Sequence, residues 1–398
     1  MGDITINGKN VITQSGSAEP VLASNVTGGA GLTLQYTNPT FTNPTIVGTG
    51  TFSGNTTIAG TATFSGDLVP STPLSHRNII INGGMQVAQR GTSASSQTTS
   101  DYFTCDRWKT EASGATYNTS QQAMSATDLL TTGFSHFFRM EVTTGNNNSG
   151  ISQKIEAKNI RQYRGENLTV SFYAKGTNPN GGSFSLNRFF TGQTAGNTSF
   201  TVTSSWVRYT ITFVYPDEGS LDTTLNTSLM ALSFLQPAGD TSTNAWTLDI
   251  TGIQLELGSS ATPFEHRSYG EELLRCQRYF YDVTQRTSGG LAVSSMSVNS
   301  WYNIGVDFPV TMRTAPSFTH NLSNAKTIAG APGADQISWY FQNQGWHGAS
   351  SSGNINTSSA TNHSCGAIIG NYYGTANNNN AGVFRWGTGI YLRFDAEL

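Results

Sequence analysis

Four consecutive six-residue blocks between residues 45 and 68 constrain the fold of this chain more than any other feature. They read TIVGTG, TFSGNT, TIAGTA and TFSGDL, so each begins with Thr, has a large apolar residue second and Gly fourth. Because six is a multiple of two, an extended chain with this repeat has one apolar and one polar face. The apolar face carries the second residue of each block, Ile46, Phe52, Ile58 and Phe64.

A single chain cannot bury that apolar face. Twenty-four extended residues would span about 80 Å, far more than an ordinary strand, and four short blocks offer little to stack as a β-helix. Three copies of the chain would bring their apolar faces to a common axis, where Gly permits close backbone approach. The repeat therefore predicts a trimeric β shaft over residues 45–74, and a Gly/Thr-rich linker is the alternative interpretation.

Composition excludes several classes of protein. Of the 398 residues, 11% are charged, 36% are hydrophobic and 11% are aromatic, whereas disordered chains are highly charged and poor in aromatic residues. The net charge of −3 predicts no basic surface for nucleic acid. The sequence shows no long apolar run and no secretion signal, so no membrane insertion is expected and assembly is expected in a cytoplasm.

Short runs of alternating residues recur after Pro70 and Pro73. They are FFRMEV (137–142), NLTVSFYAKG (167–176), WVRYTITFVYP (206–216) and WTLDITGIQLEL (246–257), each followed by turn-forming residues. This spacing favours a β-sandwich over alternating strands and helices. Trp108 and Trp206 are assigned to its core.

One helix is predicted, at SYGEELLRCQRYFYDV. It begins at Ser268, and Glu271 follows at the spacing of a capping box. The remainder of the chain returns to strand-like runs and polar loops. The overall prediction is an all-β protein in four segments, namely 1–44, the shaft and linker at 45–74, a sandwich at 75–270, and the helix with a C-terminal β domain at 271–398.

Three segments carry a resemblance to known families. They are NIIINGGMQVAQRGTS (78–93), DRW (106–108) and IQLELGSSATPFEHRSYGEELLRCQRYF (253–280). Together they resemble the C-terminal region of bacteriophage tail fibres and receptor-binding proteins, and NGGM with WTLDITGIQLE is similar to the first and last strands of jelly-roll carbohydrate-binding modules. The resemblance implies a homotrimeric fibre of the virion tail, with residues 1–44 attached to a tail or capsid protein. Its β domains would bind host-surface polysaccharide or lipopolysaccharide.

The same resemblance raises the question of a metal. Some jelly-roll modules hold a structural Ca²⁺ through carboxylates of the first and last strands. In this chain Asn82, Gly83 and Gly84 stand where an acidic residue often lies, which leaves Asp249 of the last predicted strand as the candidate oxygen ligand. A structural role is the alternative for Asp249, and no other cofactor is expected.

Glycan-binding residues are predicted in the C-terminal region. Sugar rings stack their CH faces on aromatic side chains, while their hydroxyls pair with amides and carboxylates. The segment around GWHG offers such a set, with Trp346 expected in an exposed loop. The candidates are Trp346, His347 and Asn343, with Tyr372 and Tyr373 as a second group.

Enzymatic activity is the competing prediction. A glycosidase needs two carboxylates about 5–9.5 Å apart across a cleft. The sequence offers three clusters with a structural explanation for each, namely Asp101 with Asp106, Asp217 with Glu218, and Glu271 with Glu272. The prediction is therefore a non-enzymatic adhesive fibre. The alternatives are a capsid-mounted head fibre or decoration protein, a polysaccharide-degrading tailspike, and a secreted bacterial glycan-binding protein.

Overall fold

The structure, a computed structural model, describes part of the chain. The described residues are 4–6, 9–13, 21–22, 75–144, 147–177, 183–190, 196–216, 229–236, 245–283, 291–297, 301–320, 337–341, 345–347, 356–371, 382–386 and 391–398. At 4–6, 9–13, 21–22, 147–148, 190, 229, 291–297, 301–305, 337–341, 345–347, 356–359, 365–371 and 382–386 only the backbone is described. The predicted shaft with Ile46, Phe52, Ile58 and Phe64 lies outside these residues, as do Asn343, Tyr372 and Tyr373.

The chain divides into two compact units, Met1–Leu68 and Val69–Leu398. In the first unit, β1 (Ile4–Ile6), β2 (Lys9–Thr13) and β3 (Val21–Leu22) form an antiparallel sheet in that order. All described residues from Ser75 to Leu398 belong to the second unit, including those on either side of the predicted segment boundary at position 271.

A sandwich of two antiparallel sheets forms the larger part of the second unit. Its strands are β4 (Ser93–Gln97), β5 (Lys109–Ser113), β6 (Thr116–Ala123), β7 (His136–Thr144), β8 (Asn147–Glu156), β9 (Asn167–Thr177), β10 (Phe184–Phe190), β11 (Gly196–Phe200), β12 (Val207–Val214), β13 (Leu229–Leu235) and β14 (Trp246–Leu257). Between them lie α1 (Ala126–Thr132), α2 (Ala157–Ile160) and a 3₁₀ helix (Arg161–Tyr163). One sheet has the order β12-β9-β14-β7-β6-β4 and the other β11-β10-β13-β8-β5. The chain passes repeatedly from sheet to sheet, which confirms the predicted all-β, jelly-roll-like sandwich.

Residue alternation places the core between the sheets. In β9, Leu168, Val170 and Phe172 belong to the core, so the residues between them lie on the opposite, outer face of the sheet. Trp108 is also part of this core, as predicted. Trp206 is buried as well, but it is not part of this core cluster. Its ring centroid lies 5.4 Å from that of Phe137.

The NGGM segment lies beside the last strand of the sandwich. Ile79 N–H donates to Leu255 O at 2.9 Å, and Ile253 N–H donates to Gly83 O at 3.0 Å. The predicted neighbours are therefore adjacent, although residues 78–84 form bends and a turn and not a strand. Gly83 is required for this approach, because a Cβ there would lie 2.0 Å from the Ile253 carbonyl oxygen.

The predicted helix is confirmed as α3 (Tyr269–Gln277), but it is shorter than predicted, because Phe280–Asp282 form a strand. Ser268 is its N-cap, and the Ser268 hydroxyl accepts from Glu271 N–H at 3.3 Å. The Glu271 carboxylate accepts from Arg275 one turn later at 2.9 Å. Glu271 therefore supports the helix through an i,i+4 ion pair.

The remaining strands form two further sheets. They are β15 (Phe280–Asp282), β16 (Leu291–Ser297), β17 (Trp301–Asp307), β18 (Ser317–His320), β19 (Ile337–Phe341), β20 (Gly345–His347), β21 (Asn356–Ala360), β22 (Ser364–Asn371), β23 (Gly382–Trp386) and β24 (Leu392–Asp395). The sheet orders are β15-β24-β18 and β20-β19-β23-β16-β17-β22-β21. None of the helices among the described residues is long and apolar enough to cross a membrane.

The last residues of the chain bind back to the sandwich through a group of charges that is buried except at Asp395, whose side chain is 35% exposed. Arg107 Nη1 donates to Glu397 Oε2, and Arg90 Nη2 donates to Asp395 Oδ2 at 3.0 Å. Asp106 lies 3.9 Å from Arg90. We refer to Arg90, Asp106, Arg107, Asp395 and Glu397 as the C-terminal clasp.

Candidate functional site

A groove opens on the outer face of the six-stranded sheet. It has a volume of about 320 Å³ and lies where β9, β12 and β14 meet the loop after α1 and the segment after β14. Aromatic and polar side chains share its wall. We call it the aromatic groove; its lining includes Phe134, Ser171, Tyr173, Arg208, Phe264 and His266.

Strand alternation and pairing bring the sheet residues of the groove together. Ser171 and Tyr173 lie on the face of β9 opposite the core residues. Arg208 of β12 pairs directly with Tyr173 in the antiparallel register. The aromatic ring and the guanidinium therefore rise side by side from neighbouring strands.

Two glycines let Phe134 enter the groove. Gly133 ends α1 in the left-handed conformation, with φ of 80°, which turns the chain toward the sheet. Gly252 has φ of 61°, and a Cβ at this position would lie 2.5 Å from the Phe134 ring. Both positions favour glycine, so the base of the groove depends on them.

Phe134 is the buried centre of an aromatic cluster. Its ring centroid lies 4.7 Å from that of Phe264, 5.5 Å from that of His266 and 6.0 Å from that of Tyr173. Phe134 is 3% exposed, whereas Tyr173 and Phe264 are half-buried and His266 is exposed. The cluster thus presents ring surface to solvent on a rigid base.

Hydrogen bonds fix the polar side of the groove. Arg208 Nη2 donates to Thr262 O at 2.6 Å and to Ser171 Oγ at 3.3 Å. Thr262 is held in turn by the buried Glu256 carboxylate, which accepts from its N–H at 2.8 Å and its hydroxyl at 2.6 Å. The guanidinium is therefore positioned by a loop that Glu256 ties to the sheet.

The other cations of this sheet face are paired with carboxylates. Arg139 donates from Nε and Nη2 to the two oxygens of Asp249, both at 2.7 Å. Lys175 Nζ donates to Asp128 Oδ2 at 2.9 Å, a bond that lowers the pKa of the Asp128 carboxyl. Arg139, Asp249 and Lys175 lie on β7, β14 and β9, and Asp128 lies in the first turn of α1.

Asp249, the candidate metal ligand of the sequence, has both carboxylate oxygens occupied by Arg139. Across the described part of the chain, no group of three or more His, Cys, Asp or Glu side chains is placed to hold a metal ion. The residues around Asp249 do not fit a calcium site, and an ion pair within the sheet is its role here.

The described members of the predicted carboxylate clusters have structural partners. Burial raises the pKa of Asp106 to about 6, against the lowering influence of Arg90, and Asp106 Oδ1 accepts from Gln89 N–H at 2.9 Å. Asp101 Oδ1 accepts from the next backbone N–H at 2.7 Å. Glu272 Oε1 accepts from Asn82 N–H at 2.5 Å. Asp217 and Glu218 lie outside the described residues.

None of the described residues that line the aromatic groove is among the predicted glycan-binding residues. Trp346 and His347 belong to β20, where Trp346 pairs with Tyr340 of β19, so the expectation of a loop at this position is wrong. The prediction rested on the glycines that flank this pair in the sequence, Gly345 and Gly348. Pairing with β19 holds the backbone of Trp346 in an extended conformation instead. The side chains of this strand are not described.

The sequence did contain a signal for the groove. Phe264 and His266 lie in PFEHRSYG, inside the segment that carries the family resemblance. Their partners Phe134, Tyr173 and Arg208 lie far away in the sequence. Nothing in the residues around them distinguishes them from other strand or loop residues. Only the folded sheet shows that the five side chains meet.

Solved structures similar to the chain include carbohydrate-binding modules and a phage protein. The CBM22-1 xylan-binding domain of Xyn10C from Paenibacillus barcinonensis is 17% identical over 42% of this chain and 94% of that chain, with a TM-score of 0.27. The C-terminal family 22 carbohydrate binding module of Clostridium thermocellum Xyn10B is 11% identical over 42% and 99%, with a TM-score of 0.28. The enzymatically active domain of bacteriophage CBA120 tailspike protein 4 is 13% identical over 46% and 21%, with a TM-score of 0.28.

Sequence comparison adds no relative. No family model and no curated protein matches the chain. At the identities and TM-scores of the solved structures, the likeness assigns no function.

Proposed function

We propose that this chain is a non-enzymatic adhesive fibre protein that binds a host-surface glycan in the aromatic groove. The observation that carries the proposal is the meeting of Tyr173, Phe264 and His266 with Arg208 and Ser171 in one groove. Ring surfaces accept the apolar CH faces of a sugar, and the guanidinium and hydroxyl groups pair with its oxygens. The volume of about 320 Å³ lies in the range of small-ligand sites, about 300–1,000 Å³.

Exchange of a groove aromatic for alanine tests this site. We expect the intact protein to bind a subset of an array of bacterial surface oligosaccharides, and Tyr173→Ala to weaken that binding about tenfold, or 1.4 kcal/mol. Tyr269→Ala is the matched control, because Tyr269 lies on α3 and is 56% exposed. Equal affinities of both variants and the unaltered protein would exclude the groove as the binding site.

The fibre part of the proposal rests on the phased repeat at 45–68. Three chains joined by a shaft would present three grooves, so weak contacts would combine into strong attachment. Residues 1–44 would then attach the fibre to a tail protein of the virion. A capsid protein is the alternative attachment site.

Solution mass tests the shaft. The intact chain is expected to be a trimer, and a chain starting at Ser75 is expected to be a weaker trimer or a monomer. A monomeric intact chain would contradict the shaft and leave residues 45–68 as a linker.

Polysaccharide degradation is the activity that would displace an adhesive role. Asp101, Asp106, Glu271 and Glu272 all bond to the protein itself. Incubation with host capsule or lipopolysaccharide is therefore expected to leave the length of the glycan chains unchanged. Shortened chains would support a tailspike instead.

A further inference from the structure

We infer that the aromatic groove selects an acidic saccharide, with Arg208 as the residue that binds its carboxylate or phosphate group. The inference rests on the proposed function of the groove and adds the chemical class of its ligand. It follows from how the cations of the sheet are paired, from the geometry of Arg208, and from the charges of the groove wall.

The six-stranded sheet contains three Lys or Arg residues, Arg139, Lys175 and Arg208. Arg139 and Lys175 each form an ion pair with a carboxylate. Arg208 differs, because no described carboxylate lies within 4 Å of its guanidinium, and it is exposed at the groove. Of these three cations, Arg208 is therefore the one that can bind the acidic group of a ligand.

Arg208 is positioned without being neutralised. Both of its hydrogen bonds leave from Nη2, to the neutral oxygens of Thr262 and Ser171. Within the part of the chain described, Nε and Nη1 meet no acceptor. An arginine has five N–H donors in a planar fork that matches carboxylate and phosphate oxygens. The fixed guanidinium thus retains donors for an anionic group.

The described residues of the groove wall carry no negative charge that would repel an anionic group. Arg208 and His266 are the basic residues of the lining, which contains no Asp or Glu. The carboxylates nearest in sequence to the lining residues Phe264 and His266 accept hydrogen bonds from other groups of the protein. Glu256 binds Thr262, and Glu265 Oε2 accepts from Asn78 N–H at 2.9 Å.

A bound acidic sugar would use both sides of the groove. Its ring would stack on the half-buried Tyr173 and Phe264, while its acidic group would face Arg208, which pairs with Tyr173 across the strands. Charge-assisted hydrogen bonds are roughly twice as strong as neutral ones. A neutral sugar would offer the guanidinium only uncharged oxygens, so it is expected to bind more weakly.

Isothermal titration of the intact protein with matched oligosaccharides tests the inference. Oligogalacturonate is compared with its methyl ester, and glucose 6-phosphate with glucose, at low and high salt. We expect the acidic member of at least one pair to bind about tenfold more tightly, with a smaller difference at high salt. A carboxylate ligand and a phosphate ligand are distinguished by which pair shows the preference.

Three variants assign the preference to Arg208. Arg208→Gln is expected to bind the acidic and neutral members equally, and Arg208→Lys to keep part of the preference, since it retains charge without the fork. Arg275→Gln, in an exposed pair on α3, is the control and is expected to keep all of it. Each variant is first shown to have an unchanged melting temperature.

The outcomes separate this inference from the proposed function. Equal binding of acidic and neutral sugars, lost in Tyr173→Ala, would keep the groove as a glycan site and overturn its acidic selectivity. An acidic preference that persists in Arg208→Gln would also overturn the inference. Absence of binding to these sugars and to the glycan array would overturn the proposed function itself.

Discussion

The C-terminal clasp and the aromatic groove use the same residue types in opposite ways. In the clasp, Arg107 is buried, bonds to Glu397 and stacks over the Tyr279 ring at 3.5 Å. In the groove, Arg208 lies beside the Tyr173 ring, but it is exposed and its bonds go to neutral oxygens. Burial with a matched carboxylate makes an arginine part of the structure, whereas exposure without one leaves it able to bind a ligand.

The consequence is a separation of stability from binding. A buried ion pair that loses one partner leaves an uncompensated charge, which is far more costly than the loss of an exposed charge. Substitutions in the clasp should therefore change the free energy of unfolding. Substitutions at Arg208 should change the affinity for a glycan.

The largest effect is expected for Arg107→Met. The change removes the ion pair between Arg107 and the buried Glu397 carboxylate, which keeps only Arg90 at 3.4 Å, and it removes the bond from Arg107 Nη2 to Lys154 O at 2.6 Å. We expect a loss of about 3–5 kcal/mol in the free energy of unfolding, measured by urea denaturation. Arg275→Met removes an exposed pair with Glu271 as the control, and its cost should be about 0.3–0.5 kcal/mol. Equal costs would contradict the structural role of the clasp.

The second-largest effect is expected in the pH dependence of the free energy of unfolding. Burial by itself would raise the pKa of Glu156, but hydrogen bonds from Arg278, Lys158 and Tyr279 outweigh it and lower the pKa to about 2. A lowered pKa means that Glu156 stabilises the fold above its ordinary pKa, 4.5, and that this contribution is lost as the pH falls toward 2. We expect Glu156→Gln to remove a stability change on the order of 2 kcal/mol from this window.

Asp106 in the clasp should show the opposite sign. Its pKa is raised by burial from 3.8 to about 6, so the folded protein binds the proton more tightly than the unfolded chain does. The stability contribution of the protonated form is present below pH 3.8 and is lost as the pH rises toward 6. Comparison of Asp106→Asn with the unaltered protein between about pH 3.5 and about pH 7, roughly one pH unit beyond the upper value, checks this. The stability of the unaltered protein relative to Asp106→Asn should fall as the pH rises, and a relative stability that increases with pH would contradict this account.

The smallest effect on stability is expected for Arg208→Gln. Its guanidinium is exposed and no described carboxylate depends on it, so the free energy of unfolding should change by less than about 0.5 kcal/mol. The same variant should lose the acidic preference of the groove. A large loss of stability would place Arg208 with the clasp residues and weaken its assignment to ligand binding.

Local sequence patterns predicted the strands and the helix well. The run WTLDITGIQLEL coincides with β14 (Trp246–Leu257), and the helix begins after Ser268 as its cap predicts. Alternation and capping depend on neighbours in the sequence, so these features are visible without the fold. The groove and the clasp are not, because Phe134 meets Phe264, and Arg107 meets Glu397, only through the course of the whole chain.

Hydrogen exchange of the intact protein, with and without its tightest oligosaccharide from the array, tests the central claim most directly. Slower exchange in β9, β12 and the segment 258–266, with unchanged exchange in the C-terminal residues 395–398, is the result expected for a glycan bound in the aromatic groove. Slower exchange at 337–347 or 371–373, with none in β9 and β12, would contradict it and place the glycan at the C-terminal residues that the sequence predicted.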